Sequence, residues 1–297
     1  MRIAITGASG LVGSALQRRL RTVGHEVIPV VRHTPADDEI GWSIEEQRID
    51  DGAFDGIDAV IHLAGAGIGS WRWTDKYKRK ILSSRTIGTG LVAQAIAEAK
   101  NPPEVLVSGS AVGFYGASLD DTFTENDTAG TGFLSEVCQA WESAATAAEA
   151  HATRVAVLRT GIVLSDQGGV LKKLTPVYRF RLGGNVGSGD QWVSWIHIDD
   201  EVGAIVHLLM SQVSGPVNLT APNPVTYSEL NTTIGDVMKR PSSLPIPNLG
   251  PKLLLGAELA DSLLFTGQRV LPAALQADGY EFAHPTLEGA LRDILVE

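Results

Sequence analysis

The sequence predicts an α/β fold, in which a doubly wound parallel sheet (a Rossmann fold) is followed by a smaller C-terminal substrate lobe. A short apolar strand over residues 3–5 runs into three glycines spaced G-x-x-G-x-x-G, at Gly7, Gly10 and Gly13, and an amphipathic helix follows. Downstream, strand-like and helix-like segments alternate up to about residue 165. A βαβ rhythm of this kind builds a parallel sheet with right-handed crossovers.

The order of strand, glycine loop and helix is the one that a dinucleotide pyrophosphate requires. Gly7 permits a tight turn, Gly10 lets backbone N–H groups approach the phosphates, and Gly13 lets the helix pack close to the strand. The helix N-terminus adds free N–H donors and a partial positive charge. The cofactor contacts expected from this segment are Thr6, Gly7, Ser9, Gly10, Leu11, Val12 and Gly13. A purely structural strand–helix turn is the alternative.

The end of the second predicted strand indicates which dinucleotide binds. NAD-binding folds usually place an acid here, which binds the ribose hydroxyls. This chain has Arg32 and His33 instead, and the nearest acids, Asp37 and Asp38, lie beyond a proline. An acid would repel a 2′-phosphate, whereas a guanidinium can pair with it. We therefore expect NADP(H) as the cofactor; the alternative for Arg32 is an ordinary solvated arginine.

The later segments continue the rhythm and then change. Strands are predicted over 58–66, 104–107 and 154–158, and helices over about 74–99 and 133–150. From residue 165 on, glycine and proline become common, which is typical of a smaller lobe. We expect residues 1–165, completed by parts of 185–225, to form the NADP-binding domain, and residues 166–297 to form mostly the substrate lobe.

Composition excludes several function classes. The net charge of −10 and the absence of a basic stripe argue against nucleic-acid binding. No run of 18 apolar residues and no leader segment is visible, so we expect no membrane insertion. The one cysteine, Cys138, excludes an intrachain disulfide and favours the cytoplasm. The partner expected is a small-molecule substrate, and a homodimer is left open.

Four motifs resemble those of the extended short-chain dehydrogenase/reductases: residues 6–13 (TGASGLVG), 62–65 (HLAG), 108–111 (SGSA) and 195–200 (WIHIDD). More narrowly, the chain resembles the epimerase-like subgroup called sugar-nucleotide epimerase or "cell division inhibitor" homologues. The markers of that subgroup are residues 72–74, 84–85, 112–116, 133–142, 267–272 and 284–288, with a C-terminal segment of about 250–297. The further cofactor contacts that the resemblance implies are His62, Leu63, Ala64, Gly65, Arg85, Ser108 and Ile162. For Arg85, a solvated helix face is the alternative.

The chain departs from the wider family at the acid–base pair. The family uses Ser, Tyr and Lys, the last two as Y-x-x-x-K on the helix after the serine strand, where the lysine lowers the tyrosine pKa. The corresponding helix, residues 133–142, contains neither type. The registers that fit place Phe133 or Leu134 at the tyrosine position and Val137 or Cys138 at the lysine position. The usual proton relay is therefore absent.

Ser110 and Tyr115 are the candidates to replace this relay. Ser110 occupies the family serine position at a strand end, and Tyr115 lies in the loop that leaves the same strand. The alternatives are a serine that satisfies a loop and a tyrosine that shapes a turn. Cys138 is expected to be a small buried hydrophobe rather than a nucleophile, because no histidine or cation is near it in sequence.

Four polar residues and three cleft residues have weaker assignments. Glu136 and Glu142 face either the crevice or solvent. His197 is expected to pack between the lobes and Asp199 to cap the helix that follows, so we expect no metal site here or elsewhere. The residues expected around the cleft are Arg159, Trp192 and Trp195.

Two functions remain open. One is an NADP(H)-dependent oxidoreductase or epimerase that acts on an unidentified small molecule, such as a sugar nucleotide or another carbonyl compound. The other is a protein that binds NADPH without turnover and reports it to a partner. The missing Tyr/Lys pair favours the second function, and the aromatic residues expected around the cleft favour the first.

Overall fold

The main sheet is parallel and doubly wound, as the sequence predicts. The computed structural model describes residues 1–69, 72–151, 153–244, 246–247 and 249–296. Its strands are β1 (Arg2–Thr6), β2 (Glu26–Val31), β3 (Ile40–Ser43), β4 (Arg48–Ile49), β5 (Ala59–His62), β6 (Val105–Ala111), β7 (Thr122–Phe123), β8 (Arg154–Thr160), β9 (Ile162–Leu164), β10 (Trp192–Val193), β11 (Trp195–His197), β12 (Gly215–Leu219), β13 (Val225–Thr226) and β14 (Arg269–Val270). The order in the main sheet is β12-β8-β6-β5-β1-β2-β3-β4.

The helices cover both faces of this sheet and form the smaller lobe. They are α1 (Leu11–Thr22), α2 (Asp75–Glu98), α3 (Phe133–Thr146), α4 (Gly169–Arg179), α5 (Ile198–Met210), α6 (Tyr227–Met238), α7 (Leu249–Leu255), α8 (Ala257–Leu264), α9 (Ala273–Ala277) and α10 (Leu287–Leu295), with 3-10 turns at Val112–Tyr115 and Ala147–His151. The helix expected over 133–150 thus stops at Thr146 and continues as a tighter turn.

The order in which the chain adds strands to the sheet reverses between β1 and β5, which places a crevice at the carboxyl ends of these two parallel strands. From β1 the chain winds outwards through β2 and β3, and then returns to β5 and winds the other way through β6, β8 and β12. All pairings in this sheet are parallel except that of β3 with β4. Ligands of open α/β sheets bind at such a switch point.

Alternating side chains of β1 build two cores. Ile3 and Ile5 pack with Leu16 of α1 and Leu208 of α5 on one face. Ala4 faces the other side, where α2 and α3 pack. All of these side chains are fully buried, and burying an isoleucine or leucine contributes about 1.5–3 kcal/mol. The buried faces fix which strand ends meet at the crevice.

The C-terminal lobe has its own core. Tyr178 of α4, Trp195 of β11, Ile234 of α6 and Leu291 of α10 pack together there. The expectation that Asp199 caps α5 is wrong, because His197 is the N-cap and its Nδ1 accepts from the Asp199 N–H at 3.1 Å. Asp199 lies too far into the helix for that role.

Helix α5 carries a buried carboxyl beneath the end of β8. Glu201 is 1% exposed, and its Oε1 accepts a hydrogen bond from the Thr160 hydroxyl at 2.9 Å. Burial raises the pKa of Glu201 to about 8, and the Thr160 hydrogen bond offsets part of that rise. The carboxyl is therefore protonated at neutral pH, unlike an exposed glutamate.

Glu201→Gln should remove a pH-dependent loss of stability. An unfolded glutamate titrates near pH ~4.3, so between ~4.3 and about 8 the folded chain holds a proton that the unfolded chain has released. The free energy of unfolding therefore falls as pH rises through this window. Urea unfolding should give equal stabilities at the acid end and an increasingly more stable variant towards the alkaline end.

The exposed Glu45 supplies the control for this comparison. Glu45→Gln should track the wild type at every pH. A Glu201→Gln protein whose stability has the same pH dependence as the wild type would contradict the buried, protonated carboxyl.

Candidate functional site

The glycine loop joins β1 to α1 through close backbone approaches. Gly7 has a φ of +69°, and a Cβ there would lie 2.8 Å from the carbonyl carbon of Leu63. A Cβ on Gly13 would overlap the carbonyl oxygen of Gly7. Gly10 is the N-cap of α1 and donates its N–H to the Gly7 carbonyl at 2.9 Å. Because the N-cap has no side chain, the first turn of α1 is open to an anion.

A cleft of about 690 Å³ opens beside this first turn. Its walls include Ser9, Gly10 and Leu11 from the glycine loop, and Gln167 and Gly168 from the loop after β9. Open space is therefore present beside the helix N-terminus, and Asp166, Asp199 and Asp293 also line it. Val12 follows Leu11 on the same first turn and is partly buried against the core.

A buried hydrogen-bond chain fixes the ends of β1 and β5. The Thr6 Oγ1 lies 2.7 Å from His62 Nδ1 and accepts the N–H groups of Leu63 and Ala64 at 3.2 Å. On its other side, His62 Nε2 lies 2.9 Å from the hydroxyl of Thr89. Burial lowers the pKa of His62 to about 3, so the ring is neutral. The Thr6 and His62 side chains thus hold the backbone of residues 63–65 in place.

Arg32 and His33, which follow β2, are both exposed but differ in their side-chain contacts. Arg32 forms no side-chain hydrogen bond or ion pair within the described ranges. His33 Nε2 lies 3.2 Å from the carboxylate of Glu39. The Arg32 guanidinium is therefore available to an external anion, whereas His33 shares its ring nitrogen with an acid.

A network of polar side chains lies at the carboxyl ends of β6 and β8. The Ser110 hydroxyl donates to Glu142 Oε1 at 2.6 Å, and Arg159 binds both oxygens of the same carboxylate at 2.9 Å. Arg159 Nη1 also donates to the Tyr115 hydroxyl at 2.9 Å, and that hydroxyl donates to Asn218 Oδ1 at 2.7 Å. One chain of contacts thus runs from Ser110 on β6 to Asn218 on β12.

The protonation states in this network follow from burial and pairing. Arg159 is 4% exposed, and the hydrogen bond and charge of Glu142 raise its pKa against the opposing effect of burial. Burial raises the pKa of Tyr115, and the Arg159 guanidinium offsets only part of that shift. Burial also raises the pKa of the Cys138 thiol to about 11, with the Glu142 charge adding to it. At neutral pH the network is an ion pair with a protonated phenol and a protonated thiol beside it.

Arg85 of α2 lies beside this network, between the loop after β5 and α3. Its Nη1 donates to the carbonyls of Ala66 at 3.0 Å and Ile81 at 3.1 Å, and its Cζ lies 4.8 Å from the centre of the Trp141 ring. A Cβ on Gly65 would lie 3.3 Å from that Cζ. Arg85 therefore sits between the end of β5 and α3 rather than on a solvated helix face.

The remaining candidates occupy different environments. Ser108 is fully buried, and its Oγ has no hydrogen-bond partner among the described residues. The Ile162 N–H donates to the Ser194 carbonyl at 2.8 Å, so this residue is held at the start of β9. Glu136 is exposed to solvent, whereas Glu142 faces the crevice. Trp195 is fully buried in the lobe core, and Trp192 donates its Nε1–H to the Leu119 carbonyl.

Glu142 has no assigned role among the sequence predictions, and Asn218 is not among them. Glu142 lies four residues after Cys138, on the same face of α3 and one turn beyond the position expected for the lysine. This spacing in the sequence could have indicated that Glu142 lies on the same side of the helix as the expected lysine position. Asn218 is 103 residues from Tyr115 in sequence, and only the register of β12 beside β8 brings it near.

Four side chains of a different region could be mistaken for a metal site. His197, Asp199, His284 and Asp293 place ligand atoms within 4.8 Å of one another. However, His197 Nδ1 accepts the Asp199 N–H, so the proton of the neutral ring lies on Nε2, which faces Asp293 at 3.3 Å. Neither nitrogen then offers a free lone pair. The expectation that the chain binds no metal stays a prediction.

Comparison with known proteins agrees with this architecture. Residues 3–220 match the model of the NAD dependent epimerase/dehydratase family, and residues 246–294 match a domain of unknown function, DUF1731. An epimerase family protein of Mycobacterium leprae is 42% identical, over 97% of this chain and 94% of its own. A chloroplastic homologue of SDR39U1 from Arabidopsis thaliana is 39% identical, over 99% of this chain and 87% of its own.

A solved structure of an epimerase family protein has a similar fold. The human epimerase family protein SDR39U1, crystallised with NADPH, is 33% identical to this chain with a TM-score of 0.90, and the alignment covers 99% of each. Within the residues that the structure describes, no helix is long and apolar enough to cross a membrane.

Breaking the Glu142–Arg159 pair should destabilise the fold. Glu142→Ala leaves the buried Arg159 guanidinium without its carboxylate, which typically costs about 3–5 kcal/mol. Glu142→Gln keeps an acceptor oxygen for Ser110 and Arg159 and should cost less. Urea unfolding at neutral pH measures both differences. Equal stability of wild type and Glu142→Ala would mean that the pair is not a structural tie between α3 and β8.

Proposed function

Because the chain belongs to the NAD dependent epimerase/dehydratase family, we propose that it binds NADP(H) and exchanges hydride with a small hydroxyl or carbonyl compound, such as a sugar nucleotide. The observation that carries this proposal is the position of the Ser110–Glu142 contact. It lies at the carboxyl end of β6, at the same edge of the sheet as the glycine loop, where the crevice between β1 and β5 opens. Ligands of doubly wound sheets bind in this crevice.

NADP(H) is supported by the residues around the proposed cofactor position. The open first turn of α1 suits the pyrophosphate, and the exposed Arg32 suits a 2′-phosphate, with His33 beside it. The human relative was crystallised with NADPH. The contacts we propose are Thr6, Gly7, Ser9, Gly10, Leu11, Val12, Gly13, Arg32, His33, His62, Leu63, Ala64, Gly65, Arg85, Ser108 and Ile162. From Thr6 and His62 we expect backbone rather than side-chain contacts, since their side chains bind each other.

The bound cofactor supplies the hydride chemistry, and the protein has to orient the substrate and move one proton. Ser110 is the group we assign to that proton. Its hydroxyl can accept a hydrogen bond from the substrate while its own proton points to Glu142. When the substrate is oxidised, its hydroxyl proton can pass to the Ser110 oxygen as the Ser110 proton passes to Glu142. When a carbonyl is reduced, the same two transfers run in reverse from a protonated Glu142, so no tyrosine is needed.

Tyr115 takes a positioning role in this proposal. Its hydroxyl is enclosed between Arg159 and Asn218, and the phenol stacks on Phe123 with ring centres 5.1 Å apart. It thereby orients Arg159, which in turn orients Glu142.

A second candidate function is favoured by one observation. Helix α3 carries neither the tyrosine nor the lysine of the family relay, and Cys138, at one of the lysine positions, has a protonated thiol. A protein that holds NADPH and reports it to a partner needs no relay.

The single reduced cysteine supports the cytoplasm as the compartment of this protein, although the Arabidopsis relative is chloroplastic.

Arg32→Asp should invert the cofactor preference. The substitution removes the positive charge that we assign to the 2′-phosphate and supplies an acid that binds ribose hydroxyls. NADPH affinity should fall about tenfold or more, whereas NADH affinity should hold or rise. Calorimetric titration with each cofactor measures both. Arg19→Asp makes the same charge change on an exposed position of α1 and should alter neither. Unchanged NADPH affinity in Arg32→Asp would remove Arg32 from the site.

Ser110→Ala should slow turnover without lowering the affinity for the cofactor. A positioned acid or base contributes about 10²–10⁴-fold, so NADPH oxidation with a reactive carbonyl compound or sugar nucleotide should slow by that order. Ser143→Ala, on the exposed face of α3, is the matched control. A fully active Ser110→Ala would end its assignment, and a panel that gives no turnover with wild-type protein would favour the second candidate.

A further inference from the structure

The charge of Arg85 is not balanced by an acid in the crevice. Arg85 forms no ion pair with any carboxylate in the described part of the chain. Its two side-chain hydrogen bonds both come from Nη1 and go to neutral backbone carbonyls. Buried charges are normally paired or turned towards a ligand, because a low-dielectric setting penalises an isolated ion.

The carboxylate of Glu142 pairs with a different guanidinium. Both oxygens of Glu142 are taken up by Arg159, and Oε1 also accepts from Ser110. The Cys138 thiol lies close to Ser110, Glu142 and Arg85, and it is protonated. The group formed by two guanidiniums and one carboxylate therefore carries one net positive charge, in a chain whose overall charge is −10.

The orientation of the guanidinium leaves one edge available. The group packs against Gly65, where a side chain would lie 3.3–3.5 Å from its atoms, and against the Trp141 ring. Nη1 is held by the two carbonyls, so within the described residues the Nε–Nη2 edge carries no hydrogen bond. Two parallel N–H groups on such an edge match the two oxygens of a planar carboxylate.

We propose that Arg85 binds a carboxylate of the substrate, so that the compound that exchanges hydride is an anion with its carboxylate close to the reacting carbon. This inference rests on the proposed function and names its substrate class. Trp141 and Gly65 hold the guanidinium in place, and the Cys138 thiol lies close to both Arg85 and Ser110. The carboxylate and the reacting oxygen of one small molecule would thus meet Arg85 and Ser110 respectively.

The test uses oxalate as the probe, since it is a planar dianion that cannot exchange hydride. Calorimetric titration of the protein saturated with NADP⁺ should show oxalate binding, and oxamide, which has the same shape without charge, should not bind. Arg85→Gln should lower the affinity for oxalate about tenfold or more. The affinity of Arg85→Lys should lie between those of Arg85→Gln and the wild type, because lysine keeps the charge but lacks the two parallel N–H groups. Arg79→Gln, on the exposed side of the same helix, should bind oxalate like the wild type.

The outcomes separate this inference from the proposed function. If NADP⁺ binds but oxalate does not, or if oxalate binds Arg85→Gln as tightly as wild type, the carboxylate role is overturned and the cofactor proposal stands. If Arg85→Gln loses NADP⁺ affinity but binds oxalate as tightly as the wild type, the guanidinium serves the cofactor alone and the inference is overturned. If wild type fails to bind NADP⁺, the proposed function fails, and oxalate titration of the cofactor-free protein still decides the role of Arg85. Thermal unfolding of each variant checks that it is folded.

Discussion

The buried ion pair between Glu142 and Arg159 is the interaction on which the crevice depends. It joins α3 to the end of β8, aligns the Ser110 hydroxyl on β6, and connects through Tyr115 to β12. An ion pair in this setting is weak evidence for stability by itself, because removing two charges from water costs several kcal/mol per ion. Its role in the structure is better explained by geometry, because it holds one carboxylate oxygen 2.6 Å from the serine at the carboxyl edge of the sheet.

The same pair also shapes the electrostatics. In the wider family, a lysine and a tyrosine supply charge and proton transfer from one helix. In the chemistry we propose, the positive charge comes from Arg85 on α2, the proton acceptor is Glu142 on α3, and the hydroxyl is that of Ser110 on β6. Because these groups arise from three elements, the chemistry we propose depends on the packing of α2 and α3 against the sheet rather than on a local helical motif.

The sequence predicted the sheet, its winding and the glycine loop because these rest on local patterns. Apolar strand segments alternate with helices, and Gly7 and Gly13 stand where a side chain would collide with backbone. It could not predict the polar network, since the Tyr115–Asn218 contact spans 103 residues and depends on register. The error over Asp199 has a simple cause: aspartate is a far commoner N-cap than histidine, but here His197 already fills that position.

A crystal structure of the protein with NADP⁺ tests the central claim most directly. The account predicts that the 2′-phosphate contacts Arg32 and that the pyrophosphate lies over the first turn of α1. It also predicts that C4 of the nicotinamide opens onto a space, bordered by Ser110 and Arg85, that admits a substrate carbon within about 3.5 Å of C4. A nicotinamide ring that lies outside the crevice, or one whose C4 is covered by side chains with no room for a substrate, would contradict it.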